Sequence, residues 1–555
     1  MEWSTSCKNW EHRIVAGESL IPFAPLFPAE AESALAVFKA LRIVDAPGSP
    51  TMGEACRPWI FDFVGALFGS YDSEVGRRLI TEYLLSVSKK NFKSGLAAGI
   101  MMTALIRNWR ESAEFGILAP TIEVANNSFF PARDMVRKDE ELSDLFLVQD
   151  HIRTITHRGN GAALKVIAAE NETVGGKKFT GLLLDELHLF GKQANAESML
   201  LEATGGLASR QEGFCVYLTT QSDAPPAGVF RKKLMYARGV RDGLIQDKRF
   251  LPVLYEHPAA MLKDKSYRDK KNFYITNPNL GASVDVEYIE RKFDMAEHDG
   301  EESMIGFLAK HLNVEIGMAL RSDNWAGAPF WEAQGRKGIT LEAILARCEV
   351  VDVGVDGGGL DDWLGLNVTG RTPEKEWLSW SHAWAHPSVL ERRKSEAARF
   401  KDFDKDGDLT LVAQIGDDVT ELADMVASIE QAGLLDKVGV DPAGIGGVLD
   451  ALVAACVPQE KIIGISQGWK LSGAIKTAER KLAEGALTHD GSKMMAWCVS
   501  NARIEPKGNA MLITKQASGW AKIDPLMALF SSVALMALNP EAMNVYTGEL
   551  RVVNA

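Results

Sequence analysis

Three apolar runs in the first half of the chain each end on residues that can do chemistry. "EYLLSV" (82–87) leads into a Lys-rich turn and then Lys93 and Ser94. "GLLL" (181–184) stops at Asp185 and Glu186, and "FCVYLTT" (214–220) ends on Thr219 and Thr220. Short, nearly continuous apolar runs bounded by turn residues suit strands buried on both faces. "SGLAAGIMMTALIRNW" (94–109) is apolar almost all round and rich in Ala and Gly, as a helix packed tightly on a sheet would be. The pattern predicts an open α/β sheet with its polar residues along one edge. That edge, at the carboxyl ends of the strands, is where such sheets bind ligands.

The residues at this edge fit a nucleotide. A helix start supplies N–H groups and a favourable dipole to a phosphate, Lys93 adds charge, and the Ser94 hydroxyl can reach Mg²⁺. The usual phosphate loop reads G-x-x-x-x-G-K-[ST], and here Val87 and Phe92 stand at its two glycines. Taken alone, this stretch reads better as an exposed turn opening a core helix. Two adjacent acids at a strand end are costly to desolvate unless they bind a cation or do chemistry. Asp185 is expected to hold Mg²⁺ and Glu186 to position the attacking water. Thr219 and Thr220 could sense the terminal phosphate. The three stretches together favour an ATPase of the P-loop type.

The second half carries spaced carboxylates. "CEVVDVGVDGGGLDDWLGLNVTG" (348–370) reads as a hairpin through three glycines. Asp352 and Asp356 share a face by the strand's period of two, but four residues separate them by roughly 13 Å. Asp356, beside the glycines, is the better ligand, with Asp361 and Asp362 on the return. "KVGVDPAGIGG" (437–447) ends a second strand at Asp441, and "KIDPLMALFSSVALMAL" (522–538) starts an apolar helix at Asp524. Each Asp alone could be a turn or cap residue; Asp524 before Pro525 makes a respectable N-cap. Together they suit two divalent ions roughly 4 Å apart, which cleave phosphodiesters by activating water and stabilising the leaving oxygen. Oxygen-only ligation favours Mg²⁺ or Mn²⁺. "DFDKDGDLTLVA" (402–413) begins like a calcium loop but has Ala413 where a bidentate Glu belongs, so it is expected to be a hairpin turn.

At 555 residues the chain calls for two or three domains. A net charge of −13 argues against a passive nucleic-acid coat. Basic clusters at 231–241, 263–271 and 391–394 could grip DNA locally, though solvated surface is the simpler expectation for each. The six cysteines are scattered without a C-x-x-C pair, which fits a reducing compartment. No secretory leader or membrane-length apolar run is present, so a soluble cytoplasmic protein with no membrane partner is expected.

The ordered motifs resemble those of the large terminase subunits of tailed bacteriophages. "RPWIFDFVGALFGS" (57–70) looks like that family's adenine-binding segment, and "VSKKNFKS" is similar to its deviant phosphate loop. "LLLDELH" resembles its Walker B motif, and "LTTQSD" its coupling motif. "VDGGGLDDWLGL", "VGVDP" and "KIDPLMAL" resemble its nuclease motifs. The likeness runs from about residue 57 to 540 and is specific because the motifs occur in the family's order.

The resemblance implies a P-loop-type ATPase with a helical lid, followed by a ribonuclease-H-like α/β nuclease. The expected bounds are an N-terminal extension at 1–45, the ATPase at 46–325, a linker at 326–345, the nuclease at 346–540 and a tail at 541–555. Lys89, Lys90, Lys93, Ser94 and Asp185 would hold ATP–Mg²⁺, Glu186 would activate water, and Thr219 and Thr220 would couple hydrolysis to motion. Asp356, Asp362, Asp441 and Asp524 would hold two Mg²⁺ or Mn²⁺ ions. Implied partners are viral double-stranded DNA, the procapsid portal, the small terminase subunit and sister copies in a pentameric ring. The implied location is the host cytoplasm, transiently at the portal. Rival readings are a helicase- or transposase-like ATPase-nuclease, a nuclease with a decayed ATP site, and a non-enzymatic DNA-binding assembly protein.

Overall fold

The computed structural model describes residues 2–168, 177–193, 195–316, 325–359, 362–394, 396–442, 446–507, 510–513 and 522–543. The chain divides into two compact units, residues 1–316 and 317–555.

The amino-terminal unit comprises α1 (Pro28–Ala40), α2 (Pro58–Phe68), β1 (Glu82–Ser86), α3 (Lys93–Ile106), β2 (Glu114–Ala119), α4 (Ile122–Lys138), β3 (Phe146–Gln149), β4 (Thr154–His157), β5 (Ala163–Ala168), β6 (Phe179–Leu184), β7 (Phe214–Thr219), α5 (Gly228–Arg241), β8 (Phe250–Leu254), α6 (Val286–Asp299) and α7 (Glu301–His311), with shorter pieces between. One sheet runs β8-β1-β7-β6-β2-β5-β4-β3. Its first six strands are parallel and the last two form an antiparallel edge. All residues of β6 and β7 are buried, as the unbroken apolar runs require. The first 45 residues also contribute Ile14, Leu20, Leu26, Ala34 and Phe38 to the core shared with α2 and α3.

The basic stretch 231–241 is a solvated face only in part. It forms α5, where Lys232 pairs with Glu197, Lys233 with Glu82, and Arg238 and Arg241 with buried Glu256. Acids from β1, from just past the end of β8 and from the helix Ala196–Gly205 pair with these cations.

The carboxy-terminal unit contains α8 (Ala328–Gln334), α9 (Leu341–Arg347), β9 (Val350–Gly357), β10 (Leu364–Arg371), β11 (Trp377–Ala385), α10 (Ala397–Asp406), β12 (Leu409–Leu411), α11 (Asp417–Gln431), β13 (Leu435–Val440), β14 (Ile462–Gly464), β15 (Leu487–His489) and α12 (Asp524–Met536). The sheet runs β12-β11-β10-β9-β13-β14, with β15 also on β11. β9, β10 and β11 are antiparallel neighbours, while β13 and β14 continue parallel to β9. The stretch at 402–408 is not a hairpin turn. It is the end of α10, closed by Gly407 in the left-handed conformation at φ 82°, before β12.

α12 lies directly on this sheet because glycines leave room for it. A Cβ on Gly354 would fall 1.9 Å from the Ala528 carbonyl oxygen, and one on Gly365 would fall 2.6 Å from the Pro525 nitrogen. A buried polar lock fixes the register: the Ser532 hydroxyl lies 2.6 Å from Asn367 Oδ1 and 2.8 Å from Thr369 Oγ1. The Asn367 amide in turn donates to the hydroxyls of Ser379 and Ser381 on β11.

Asp352 is fully buried on β9, its Oδ1 accepting from the Lys437 N–H at 3.2 Å. Burial first, then the charge of Asp436, pushes its carboxyl up to about 8. Its other oxygen has no hydrogen-bond partner, as a protonated group allows. Between the ordinary carboxylate range and about pH 8 the folded form therefore binds the extra proton, and stability falls as pH rises. Asp352→Asn is expected to flatten that slope, melting above wild type at pH 9 by at least about 2–4 °C, the displacement per kcal/mol for a unit of this size. Equal melting temperatures at pH 9 would contradict it.

Candidate functional site

The sheet order of the amino-terminal unit sets β7 between β1 and β6, and parallel strands bring all three carboxyl ends to one edge. Lys93 and Ser94 start α3 just beyond β1, Asp185 and Glu186 follow β6, and Thr219 and Thr220 end β7. The three groups singled out in the sequence are thus brought together. Hydrogen bonds stitch the ends: the Val87 N–H donates to the Thr219 carbonyl, and the His188 N–H donates to Thr219 Oγ1.

The missing glycine of the phosphate loop has a local solution. Phe92 adopts the left-handed conformation, φ 65° and ψ 22°, that a glycine would take at the helix start. Its ring lies over Gly95, where an added Cβ would approach it to 2.2 Å. Such backbone strain in a bulky residue is uncommon and clusters at functional sites. Lys90 is also left-handed, at φ 69°. Asn91, in the same loop, is buried and tied by its amide to the Ser88 carbonyl and Asn277 Oδ1.

The electrostatics suit an anion and a cation side by side. The Lys93 ammonium is buried against the carbonyls of Val87 and Ser88, at 3.3 and 3.4 Å. Burial pulls its proton affinity down, which the charges of Glu186 and Asp185 partly oppose. His311 is held down at about 4, by burial and then by the positive charges of Lys89, Lys90, Lys292 and Lys310. A converging lysine field of this kind concentrates anions. Asp185 accepts from the Ser128 hydroxyl at 2.7 Å; burial and the neighbouring Glu186 charge raise it to about 6. Burial also works to raise Glu186, but its contact with His188 and the charges of Lys93, His188 and Lys89 prevail and hold it at about 2. Glu186 is ionised as a base must be, while Asp185, although near Lys93, is dominated by burial and by the Glu186 charge. Ser128 lay outside every motif, and His188, at the end of "LLLDELH", had no role assigned.

Beneath this edge lies a cavity of about 360 Å³, lined in part by Arg57, Trp59, Asp62, Tyr255 and Tyr274. The Trp59 indole N–H donates to Asn279 at 2.8 Å. This is the stretch that resembles an adenine-binding segment, with Gly17–Ser19 adding to the wall.

In the carboxy-terminal unit, Asp356 and Asp441 lie on neighbouring rungs, because Val355 pairs with Val440 in parallel register. Asp524 is the first residue of α12, whose start packs on Gly365, the cross-strand partner of Asp356. Asp524 is not an N-cap; Ile523 holds that position and no side chain caps the helix. Asp524 Oδ1 would lie 3.4 Å from a Cβ on Gly357, and both Asp524 and Asp356 are buried. Asp362 forms an ion pair with Lys522, and Asp361 lies outside the described residues. Gln467, in a segment without an assigned role, donates to Asp356 Oδ1 at 3.4 Å. Among the described residues no three Asp, Glu, His or Cys side chains form a ready-made metal cage. The donor set still fits hard cations: carboxylates gathered at one edge, two of them desolvated at a cost that a cation would offset.

Comparison with known proteins identifies the family. A family model described as the terminase large subunit ATPase domain matches residues 58–236, and one described as its endonuclease domain matches residues 247–539. The chain is 22% identical over 512 residues to the terminase large subunit of Enterobacteria phage HK97, covering 89% of this chain and 93% of that protein. It is 23% identical over 482 residues to that of Lactococcus phage p2, covering 83% of each. The crystal structure of the HK97 large terminase aligns with a TM-score of 0.48 at 19% identity, covering 91% of this chain and 99% of that one. The endonuclease model alone spans more than half of the sequence, and the chain therefore belongs to the terminase large-subunit family, with an ATPase domain followed by an endonuclease domain.

Proposed function

We propose that the two sheet edges divide the work of viral DNA packaging, one driving translocation into the procapsid and the other cutting the concatemer. The observation that carries this reading is the convergence of Lys93, Asp185–Glu186 and Thr219–Thr220 on one edge of a parallel sheet. At that edge Lys93, Ser94 and Asp185 would hold ATP–Mg²⁺, with Lys89 and Lys90 adding positive field. Glu186, ionised beside His188, takes the proton from the attacking water. Thr219 joins the phosphate loop to the Walker B turn through its hydrogen bonds to Val87 and His188, and so can pass the change on. Arg57 and Trp59 would wall the adenine pocket.

In the second unit Asp356, Asp441 and Asp524 would hold two Mg²⁺ or Mn²⁺ ions, which supply a nucleophilic water and stabilise the leaving oxygen when bound. Gln467 orients Asp356. Asp362, just before β10 and paired with buried Lys522, would be a further acid at that metal site. The implied partners are double-stranded viral DNA, the portal, the small terminase subunit and sister copies in a pentameric ring, in the host cytoplasm and then at the portal. Among the described residues no helix is long and apolar enough to cross a membrane.

Purified chain should hydrolyse ATP with DNA stimulation, and Lys93→Ala or Glu186→Ala should each lose about 10²-fold or more in kcat. Plasmid nicking with Mn²⁺ should persist in both variants and vanish in Asp356→Ala. Loss of both activities in either set would show that the two edges are not separate sites. A second cycle tests the substituted phosphate loop. Gly95→Ala should weaken ATP binding, because its Cβ strikes the Phe92 ring, and Phe92→Gly/Gly95→Ala should restore it. Titration with a fluorescent ATP analogue reads both; no recovery in the double variant would refute the packing account.

A further inference from the structure

We propose that Gln221 is a catalytic residue of the ATP site, its side-chain amide contacting the terminal phosphate and the attacking water beside Glu186. The inference rests on the ATPase reading above and adds a residue that no motif role covers.

Position comes first. Gln221 lies two residues past the end of β7, the strand between the phosphate-loop strand β1 and the acid-bearing strand β6. Thr219, two residues earlier, is already bonded to Val87 on one side and to His188 on the other. A residue leaving the sheet here stands between the group that holds the phosphates and the group that takes the proton.

Burial makes the position informative. Gln221 is only 1% exposed, yet neither its amide nitrogen nor its amide oxygen has a hydrogen-bond partner among the described residues. Buried amides without partners are rare, because burial strips them of water with nothing in return. The other buried amides at this edge show the contrast. Asn91 donates to Ser88 and Asn277 and accepts from the Asn279 N–H. Asn277 donates to the carbonyls of Phe273 and His311. Asn313 accepts from the Gln221 N–H and donates to Ser86 Oγ and the Tyr255 carbonyl. Gln221 alone of the four is anchored by its backbone and left with an unused side chain.

An amide has the chemistry this place needs. Its Nε2 donates to a phosphate oxygen while its Oε1 accepts from a water, and it is neutral, so it does not repel the phosphate. It exchanges no proton. The water oxygen forms the new P–O bond, the bridging P–O bond breaks with its electron pair leaving on ADP, and the water proton goes to Glu186. Loss of the phosphate would then be felt through the Gln221 N–H at Asn313, which ties the ends of β7, β1 and β8 just beyond α7.

The test uses the full chain with DNA and compares wild type with Gln221→Met, similar in length but without hydrogen-bonding groups. If the amide serves the phosphate, Gln221→Met melts at or above wild type, since an unpaired buried amide is gone, while kcat for ATP falls about 10- to 100-fold. KM for ATP stays within about threefold, and Mn²⁺-dependent nicking is unchanged. Gln221→Glu, which keeps the shape, and Gln221→Met should also lose the wild-type preference for a non-hydrolysable ATP analogue over ADP in equilibrium binding. That readout stands apart from turnover. Wild-type kcat and wild-type ATP-over-ADP preference in Gln221→Met would overturn the proposal while leaving the ATPase reading intact. Absence of ATP turnover in wild type itself, matching Lys93→Ala, would bring down both.

Discussion

The Lys93 ammonium sits desolvated against the carbonyls of Val87 and Ser88, with Asp185 and Glu186 near enough to offset part of the burial cost. The arrangement at the ATP edge depends on that burial being tolerated. It requires a tightly turned loop, which Phe92 supplies from the left-handed region, and a second strand end that brings acids within range. A buried cation next to buried carboxylates is stable only when all of them are held; removing one partner leaves the others uncompensated. The surrounding amides of Asn91, Asn277 and Asn313 provide that rigidity, linking the loop and the strand ends to the segments around α7.

The carboxy-terminal unit meets the same difficulty with a different device. Its carboxylates come from two neighbouring strands and the start of a helix. Placing Asp524 next to Asp356 requires α12 to lie unusually close to the sheet, which Gly354 and Gly365 allow. Ser532, Asn367 and Thr369 then fix its register through a satisfied polar cluster. A buried network with every member bonded specifies one docking geometry in a way that apolar packing alone does not. Asp352, on the same strand but four residues away, serves no such purpose and is accommodated as a neutral acid.

Both units thus use the end of a parallel strand as the place where charge is gathered. In the first, strand order puts β7, with Thr219 at its end, between the phosphate loop and the acids. In the second, β9 lies beside β13 and beneath α12. Neither arrangement follows from the nearness of residues in sequence, since Lys93 and Glu186, or Asp356 and Asp524, are separated by long intervening segments.

Much of this was legible in the chain itself. Apolar runs such as "GLLL" and "FCVYL" were ambiguous singly, but together they favoured an α/β sheet with acids and hydroxyls at one edge. The order of motifs was enough to identify the family. What the residues could not show was anything that depends on through-space partners. Phe92 read as a defect until its left-handed backbone and its packing on Gly95 were seen together. The basic run at 231–241 read as surface until Glu82 and Glu256 were found against it. The 402–408 acids read as a turn because a helix end and a hairpin share the same Asp–Gly composition. Ser128 and Gln467 lay outside the motifs given roles, and His188 and Gln221 lay inside two of them without a role, because hydrogen-bond partnership and burial are set by tertiary packing. Sequence therefore determined which elements form and which chemistry they carry; the tertiary structure alone decided which charges are neutralised, which amides are satisfied and which is left to meet a ligand.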